Sequence, residues 1–290
     1  MYPLLSRVCI TWVTLSLYGY ATLTFSLNKT TIQQGHVLKC LVTSSQPLHH
    51  PTIHLNNNEF KLFKAVRPGS AFYYDAYIGI SKNIPATDHA FIIKGLDSNN
   101  QPIQASVRIT VLPANFKSEA ITLPPKKSSL PERTQQLRKE GALLSQQFKK
   151  TTPRTLTQQP FMKPTTGRIS SSFGNNRTYQ GRIQWQHSGV DIANRIGTPI
   201  RAANSGQVIL SEELPIHGHT IMIDHGKGLV TIYNHLNSRS VTTGQWVYRG
   251  KKIGQMGQTG IATGPHLHWG FSVQNIRVDP MIWLTDSSVY

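Results

Sequence analysis

Five side chains in the last third of the chain, His187, Asp191, His235, His266 and His268, are of the types that hold a catalytic metal and move protons beside it. In the run His266-Leu267-His268 an extended strand turns residues i and i+2 to one face, about 7 Å apart. One imidazole can then bind a metal while the other reaches a water beside it. His187 and Asp191 pose a harder problem, because a straight strand would hold them about 13 Å apart. Gly189, Val190 and Ile192 disfavour the helical alternative, so the expectation is a strand bent or bulged at Gly189. Two imidazoles and one carboxylate leave the fourth position of a tetrahedral zinc open, which is the arrangement of a catalytic site. Twelve histidines in 290 residues produce close pairs by chance; the joint pattern, set among glycine turns, carries the argument.

The segments around these residues are GRISSSFG at 167–174, HSGVDIANRIGTPIRAANSGQV at 187–208, IDHGKGLVTIYNHL at 223–236, GQWVYRGKKIGQMGQTGIATGPHLHWGF at 244–271 and VDP at 278–280. Together they resemble the lysostaphin-like and LytM-like zinc endopeptidases, which cut peptide bridges of the bacterial cell wall. The resemblance spans roughly residues 161–284. It implies Zn2+ as the cofactor, with His187, Asp191 and His268 as ligands and with His235 and His266 as unliganded catalytic residues. None of the five is missing, which argues for an enzyme over the relatives that have lost ligands and activate wall amidases. A secreted bacteriolytic endopeptidase is the other alternative. Zinc in such a ligand set lowers the pKa of bound water and polarises a carbonyl, and the two free histidines serve proton transfer and the developing oxyanion.

The resemblance also points to Arg177, in SSFGNNRTYQG, as a groove residue able to pair with a substrate carboxylate; a solvated loop charge is the other reading. Tyr233 shares a side with His235 in an extended strand and either lines the groove or packs; it is carried as a second substrate-binding candidate. His225 is expected in a turn and not as a ligand. His219 stands where relatives usually show Asn, which touches the groove edge and no ligand.

The elements that must position this chemistry are mainly β. Strand-like runs such as TPIRAA, GQVILSEE, TIMIDHG and HLHWGFSV predict an antiparallel-β catalytic domain over residues 161–284. Residues 22–113 carry seven apolar and β-branched runs separated by turn clusters such as NNNE and LDSNNQP, and predict an immunoglobulin-like β-sandwich without its Cys and Trp landmarks. Residues 114–160, rich in Pro, Lys, Gln and Thr, read as a semi-rigid linker with a short helix from about Glu132 to Phe148.

Residues 8–27 contain no charge and follow Arg7, as in a signal sequence or a membrane anchor. Small residues near Ala21 and a strand pattern starting at about Leu23 favour a cleaved signal peptide, residues 1–21, over an anchor that would associate the protein with a membrane. Export to the periplasm or cell envelope, or secretion, follows. Cleavage would leave Cys40 alone, so a disulfide framework is excluded. The net charge of +17 comes with no recognition helix, zinc finger or aromatic strand pattern, so no nucleic acid partner is expected. Attraction to anionic wall polymer, with peptidoglycan as the partner, fits that charge. The oligomeric state is not written in the sequence.

Overall fold

The computed structural model describes residues 11–15, 22–120, 130–150, 152–157, 159–179 and 182–290. The chain is mainly β and divides into two compact units, residues 1–113 with 286–290, and residues 114–285.

The first unit holds two five-stranded sheets. One runs Thr11–Leu15, Leu23–Leu27, Val37–Ser44, Phe72–Gly79 and Phe63–Ala65, antiparallel throughout. The other runs Thr31–Gln33, Pro102–Leu112, Asp88–Leu96, His49–Leu55 and Asn58–Lys61, with Thr31–Gln33 parallel to its neighbour. Alternation with period two dictates which side chains enter the core. Leu38, Cys40 and Val42 of one sheet and Ile53, Leu55, Phe91 and Ile93 of the other are all buried. The apolar run at 60–66 serves both sheets. Buried Leu62 donates its N–H to the Pro51 carbonyl and separates Asn58–Lys61 from Phe63–Ala65. Of the expected leader only Thr11–Leu15 lies within the described residues, paired with Leu23–Leu27. No described helix is long and apolar enough to cross a membrane.

The second unit is built on a ten-stranded sheet. Its main path is Arg168–Ser171, Gly189–Ala193, His266–Val273, Leu229–Arg239, Gly218–Asp224, Gly206–Leu214 and Trp246–Val247. A three-stranded sheet pairs Asn176–Tyr179 with Arg182–Gln186 and, in parallel, with Ser118–Ala120. The region 114–160 is therefore not a free linker: it contributes a strand and a docked helix to this unit. The helix runs Leu130–Lys149, slightly longer than the sequence implies. Glu140, Leu144 and Phe148 recur every four residues and fall on one buried stripe. Leu144 and Phe148 join Leu210, Leu214, Met222, Val230 and Ile232 in one apolar cluster. The buried Arg277 guanidinium lies 3.8 Å from the centre of the Phe148 ring, a cation–π contact in a dry site. Burial lowers the Arg277 pKa to about 9.

Candidate metal centre

Asp191 and His268 are brought together by strand register. Gly189–Ala193 and His266–Val273 pair antiparallel so that Asp191 lies directly opposite His268 and Ala193 opposite His266. Directly opposed residues hold their side chains on one face at close range. The two strands come this near because position 189 lacks a side chain. A Cβ there would lie 2.5 Å from the Trp269 carbonyl oxygen and 2.9 Å from the His268 ring.

The expected bulge at Gly189 is absent, since the pairing with His266–Val273 is regular from residue 189 onward. His187 reaches Asp191 by another route. It precedes the strand, held by exchanged backbone hydrogen bonds in which its N–H donates to the Asn175 carbonyl and Gly174 N–H donates to its own. The chain corners there, and a corner shortens the four-residue span that a straight strand would stretch to 13 Å.

The three donors form a nearly equilateral triangle. His187 Nε2, Asp191 Oδ1 and His268 Nδ1 are each 2.9 Å from the other two, and all three residues are buried. His187 donates Nδ1–H to the Ser172 carbonyl at 2.8 Å, which in the neutral ring leaves Nε2 a lone pair. Burial lowers the His268 pKa to about 3, against the opposing pull of Asp191. Burial alone would raise Asp191, but its hydrogen bonds with His187 and His268 outweigh that and hold it well below the usual carboxylate range. A cation at the centre of the triangle would displace the ring protons that Asp191 accepts and take lone pairs from two imidazoles and one carboxylate. This N,N,O donor set fits zinc, with one tetrahedral position left open.

His235 and His266 stand beside the triangle. Their ring centres are 4.9 Å apart, and His235 is 6.3 Å from the ring of His268. Each ring is oriented by a carbonyl: His235 Nδ1–H donates to Thr259 O at 2.9 Å and His266 Nδ1–H to Gly264 O at 2.8 Å. In the neutral tautomer Nε2 of each therefore carries the free lone pair. Burial, then the neighbouring His266 and His268, push the His235 pKa well down, so it stays neutral.

His235 also has a backbone φ of +62°, in the left-handed region that a non-glycine residue seldom adopts. That break from the extended conformation corrects the reading of Tyr233. The two side chains do not share a side: Tyr233 is fully buried, and its hydroxyl accepts a hydrogen bond from Ala203 N–H at 2.9 Å. It packs in the core and cannot line a groove. His225 is likewise buried, donating Nδ1–H to the Ser205 carbonyl and lying 2.8 Å from the Thr231 hydroxyl.

Arg177 sits closer to the metal centre than a groove residue would. Its guanidinium donates to Asp191 Oδ2, the carboxylate oxygen turned away from the triangle, and to Ser171 Oγ at 3.2 Å. Glu119, on the segment expected as linker, flanks it: Arg177 Nε is 3.9 Å from Glu119 Oε2, and Ser171 donates to the same oxygen at 2.7 Å. The arrangement orients the ligand carboxylate from behind, the role outer hydrogen-bond partners play at metal sites. Sequence reasoning missed Glu119 and Thr259, whose partners are distant in the chain. The glycine turn before His266 was the only local signal near Thr259.

Residues 185–280 match the model of peptidase family M23. The chain is 40% identical over 116 residues to the peptidoglycan DD-endopeptidase ShyA of Vibrio cholerae, a match covering 39% of this chain and 27% of that protein. It is 38% identical over 115 residues to the DD-carboxypeptidase/endopeptidase Mpg of Neisseria gonorrhoeae, covering 39% and 26%. The chain thus spans about a quarter of the length of the curated relatives it matches. Among solved structures it resembles a putative peptidase M23 from Pseudomonas aeruginosa, with a TM-score of 0.61 and 26% identity over 87% of this chain and 94% of that one.

Proposed function

We propose, from the match of residues 185–280 to the model of peptidase family M23, that the protein is a zinc-dependent endopeptidase hydrolysing peptide cross-links of bacterial peptidoglycan in the cell envelope. The observation that carries this reading is the triangle of His187 Nε2, Asp191 Oδ1 and His268 Nδ1 with Nε2 of His235 and of His266 turned away from their carbonyl partners beside it, the latter 3.7 Å from Asp191 Oδ1. The named activities of the Vibrio and Neisseria relatives support the choice of substrate. The positive charge of the chain suits an anionic wall polymer.

When bound by the three ligands, zinc supplies Lewis acidity at the open position, polarising a carbonyl and acidifying water. The remaining work falls to the chain. His235, buried and with Nδ1–H committed to Thr259, is suited to accept a proton from the attacking water at Nε2 and return it to the leaving amine. His266, with Nδ1–H committed to Gly264, presents Nε2 beside the same position and is suited to exchange a proton with the reacting oxygen. Two imidazolium rings 4.9 Å apart would repel, so the pair takes up protons one at a time. Arg177, held by Glu119 and Ser171, keeps Asp191 aimed at the metal.

The test is incubation of the full-length protein with purified cross-linked peptidoglycan, with and without a zinc chelator, reading the released muropeptides by mass spectrometry. Loss of cross-linked dimers that the chelator abolishes is expected and identifies the bond. Intact cross-links with one zinc bound would overturn the enzymatic reading in favour of an activator of other wall hydrolases.

A further inference from the structure

The helix Leu130–Lys149 lies outside the matched residues 185–280, yet it inserts one carboxylate into the fabric behind the metal centre. Glu140 is 3% exposed. A glutamate on the stripe that also carries Leu144 and Phe148 carries a desolvation cost an apolar residue would avoid, unless donors surround it. They do. Glu140 accepts from Ile216 N–H at 2.9 Å, His217 N–H at 3.1 Å, Gln136 Nε2 at 2.9 Å and His217 Nδ1 at 2.6 Å. Burial alone would raise its pKa, but these hydrogen bonds outweigh it and hold the group ionised.

The clamped turn, residues 215–217, joins Gly206–Leu214 to Gly218–Asp224 and holds both handles of His235. Through the backbone, His235 N–H donates to the His217 carbonyl at 2.9 Å, which secures the left-handed residue where strand hydrogen bonding is interrupted. Through the ring, Ile261 N–H donates to the Ile216 carbonyl at 2.8 Å and His219 N–H to Thr259 Oγ1 at 3.0 Å. These bonds tie the turn to the segment whose Thr259 carbonyl orients His235 Nδ1. A Cβ at Gly260 would lie 2.4 Å from the Ile216 oxygen, so the two segments are in close contact.

We propose that Glu140 is a positioning residue for His235, fixing through the His217 turn the backbone and ring geometry that proton transfer requires. The inference rests on the reading of His235 as the proton-transfer residue. A displacement of about 1 Å at a reacting group can cost about 100-fold in rate, so loss of the clamp falls on kcat and spares the metal.

The experiment compares full-length wild type, Glu140→Ala, Glu140→Gln, His235→Ala and Leu144→Ala on a purified cross-linked muropeptide dimer, with zinc content and Tm measured for each. Glu140→Ala is expected to lower kcat by about tenfold or more, with zinc content unchanged and KM within about threefold. Glu140→Gln should recover part of that loss, since its amide oxygen keeps one acceptor for the turn. Leu144→Ala removes packing from the same helix, so it should lower Tm at least as much and leave kcat unchanged where the protein is folded. Wild-type kcat in Glu140→Ala, or an equal kcat loss in Leu144→Ala, overturns the inference. If Glu140→Ala does not fold, Glu140→Gln decides: a kcat loss with full zinc content supports the role, and wild-type kcat overturns it. An inactive wild type, or an active His235→Ala, overturns the reading of the site and this inference with it. An active wild type, inactive His235→Ala and fully active Glu140→Ala overturn the inference alone.

Discussion

The two units of this protein bury different chemistry. In residues 1–113 the described interior is apolar apart from Ser26, Ser44 and Asp97, and Asp97 earns its place by accepting from Asn99 and Gln101 N–H in a turn. Residues 114–285 bury His187, Asp191, Asp224, His225, Asn234, His268 and Glu140 among their apolar side chains. Histidines mark the contrast: His49 and His50 of the first unit are exposed, whereas His187, His225 and His268 of the second are enclosed. A core of transferred apolar surface needs only the right volume and alternation, while buried ionisable groups need partners of fixed geometry. The second unit is therefore the one in which single substitutions should alter chemistry as well as stability.

The sharpest break in that contrast comes from the triangle itself. His187→Ala is expected to abolish stoichiometric zinc, read by elemental analysis, and to lower turnover by about 10⁴-fold or more, since one of three protein ligands is gone. His235→Ala should keep one zinc and lose kcat by about 10²- to 10⁴-fold; retained activity in the zinc-loaded variant would remove His235 from the mechanism. Gly189→Ala forces a Cβ against the Trp269 carbonyl and the His268 ring. It should weaken zinc binding by about tenfold or more and cost about 3 kcal/mol of stability, measured by metal titration and by denaturant unfolding.

The first unit supplies the control. Ile53 is wholly buried there, and Ile53→Ala should cost about 2–5 kcal/mol with no change in zinc content. A matching loss of bound zinc would show that the units are not chemically separate in the way their interiors suggest.

The smallest effect is a pH dependence to which a buried histidine of the second unit contributes. Burial lowers His225 from 6.5 to about 4 despite its bond to the Ser205 carbonyl. Below pH 6.5 the unfolded chain binds a proton that the folded ring refuses, so stability falls as pH drops from 6.5 towards 4 and is full above 6.5. The gap corresponds to at most about 3 kcal/mol. His225→Gln should make this slope shallower in thermal melts taken across that range; an unchanged slope would mean that His225 is already protonated in the fold.

How far the site was legible follows from the range of its contacts. His266 and His268 face one site because a strand alternates, a rule local to three residues. Gly189 is expected at a bend, whereas the structure needs it for the tight approach of the strand across the sheet. Of the two readings of Tyr233, packing holds and the groove fails, because the positive φ of His235 breaks the alternation, and nothing in Tyr-Asn-His announces that break. Arg177 was picked for the groove and stands on Asp191, since its position depends on a hairpin whose register shifts between Arg177 and Thr178. The region 114–160 carries Pro, Lys and Gln in linker proportions, and its composition conceals that Glu119 and Glu140 reach into the second unit.

The sequence by itself determined the donor types, the alternation that turns them to one face and the glycines that leave room for them, because these depend on side-chain chemistry and short-range backbone sterics. Only the tertiary structure decided that His187 meets Asp191 around a corner, that Arg177 backs a ligand and that a helix carboxylate holds the turn behind His235. Those pairings depend on strand register and on helix docking, which join residues up to 77 positions apart and are settled by the packing of the whole unit.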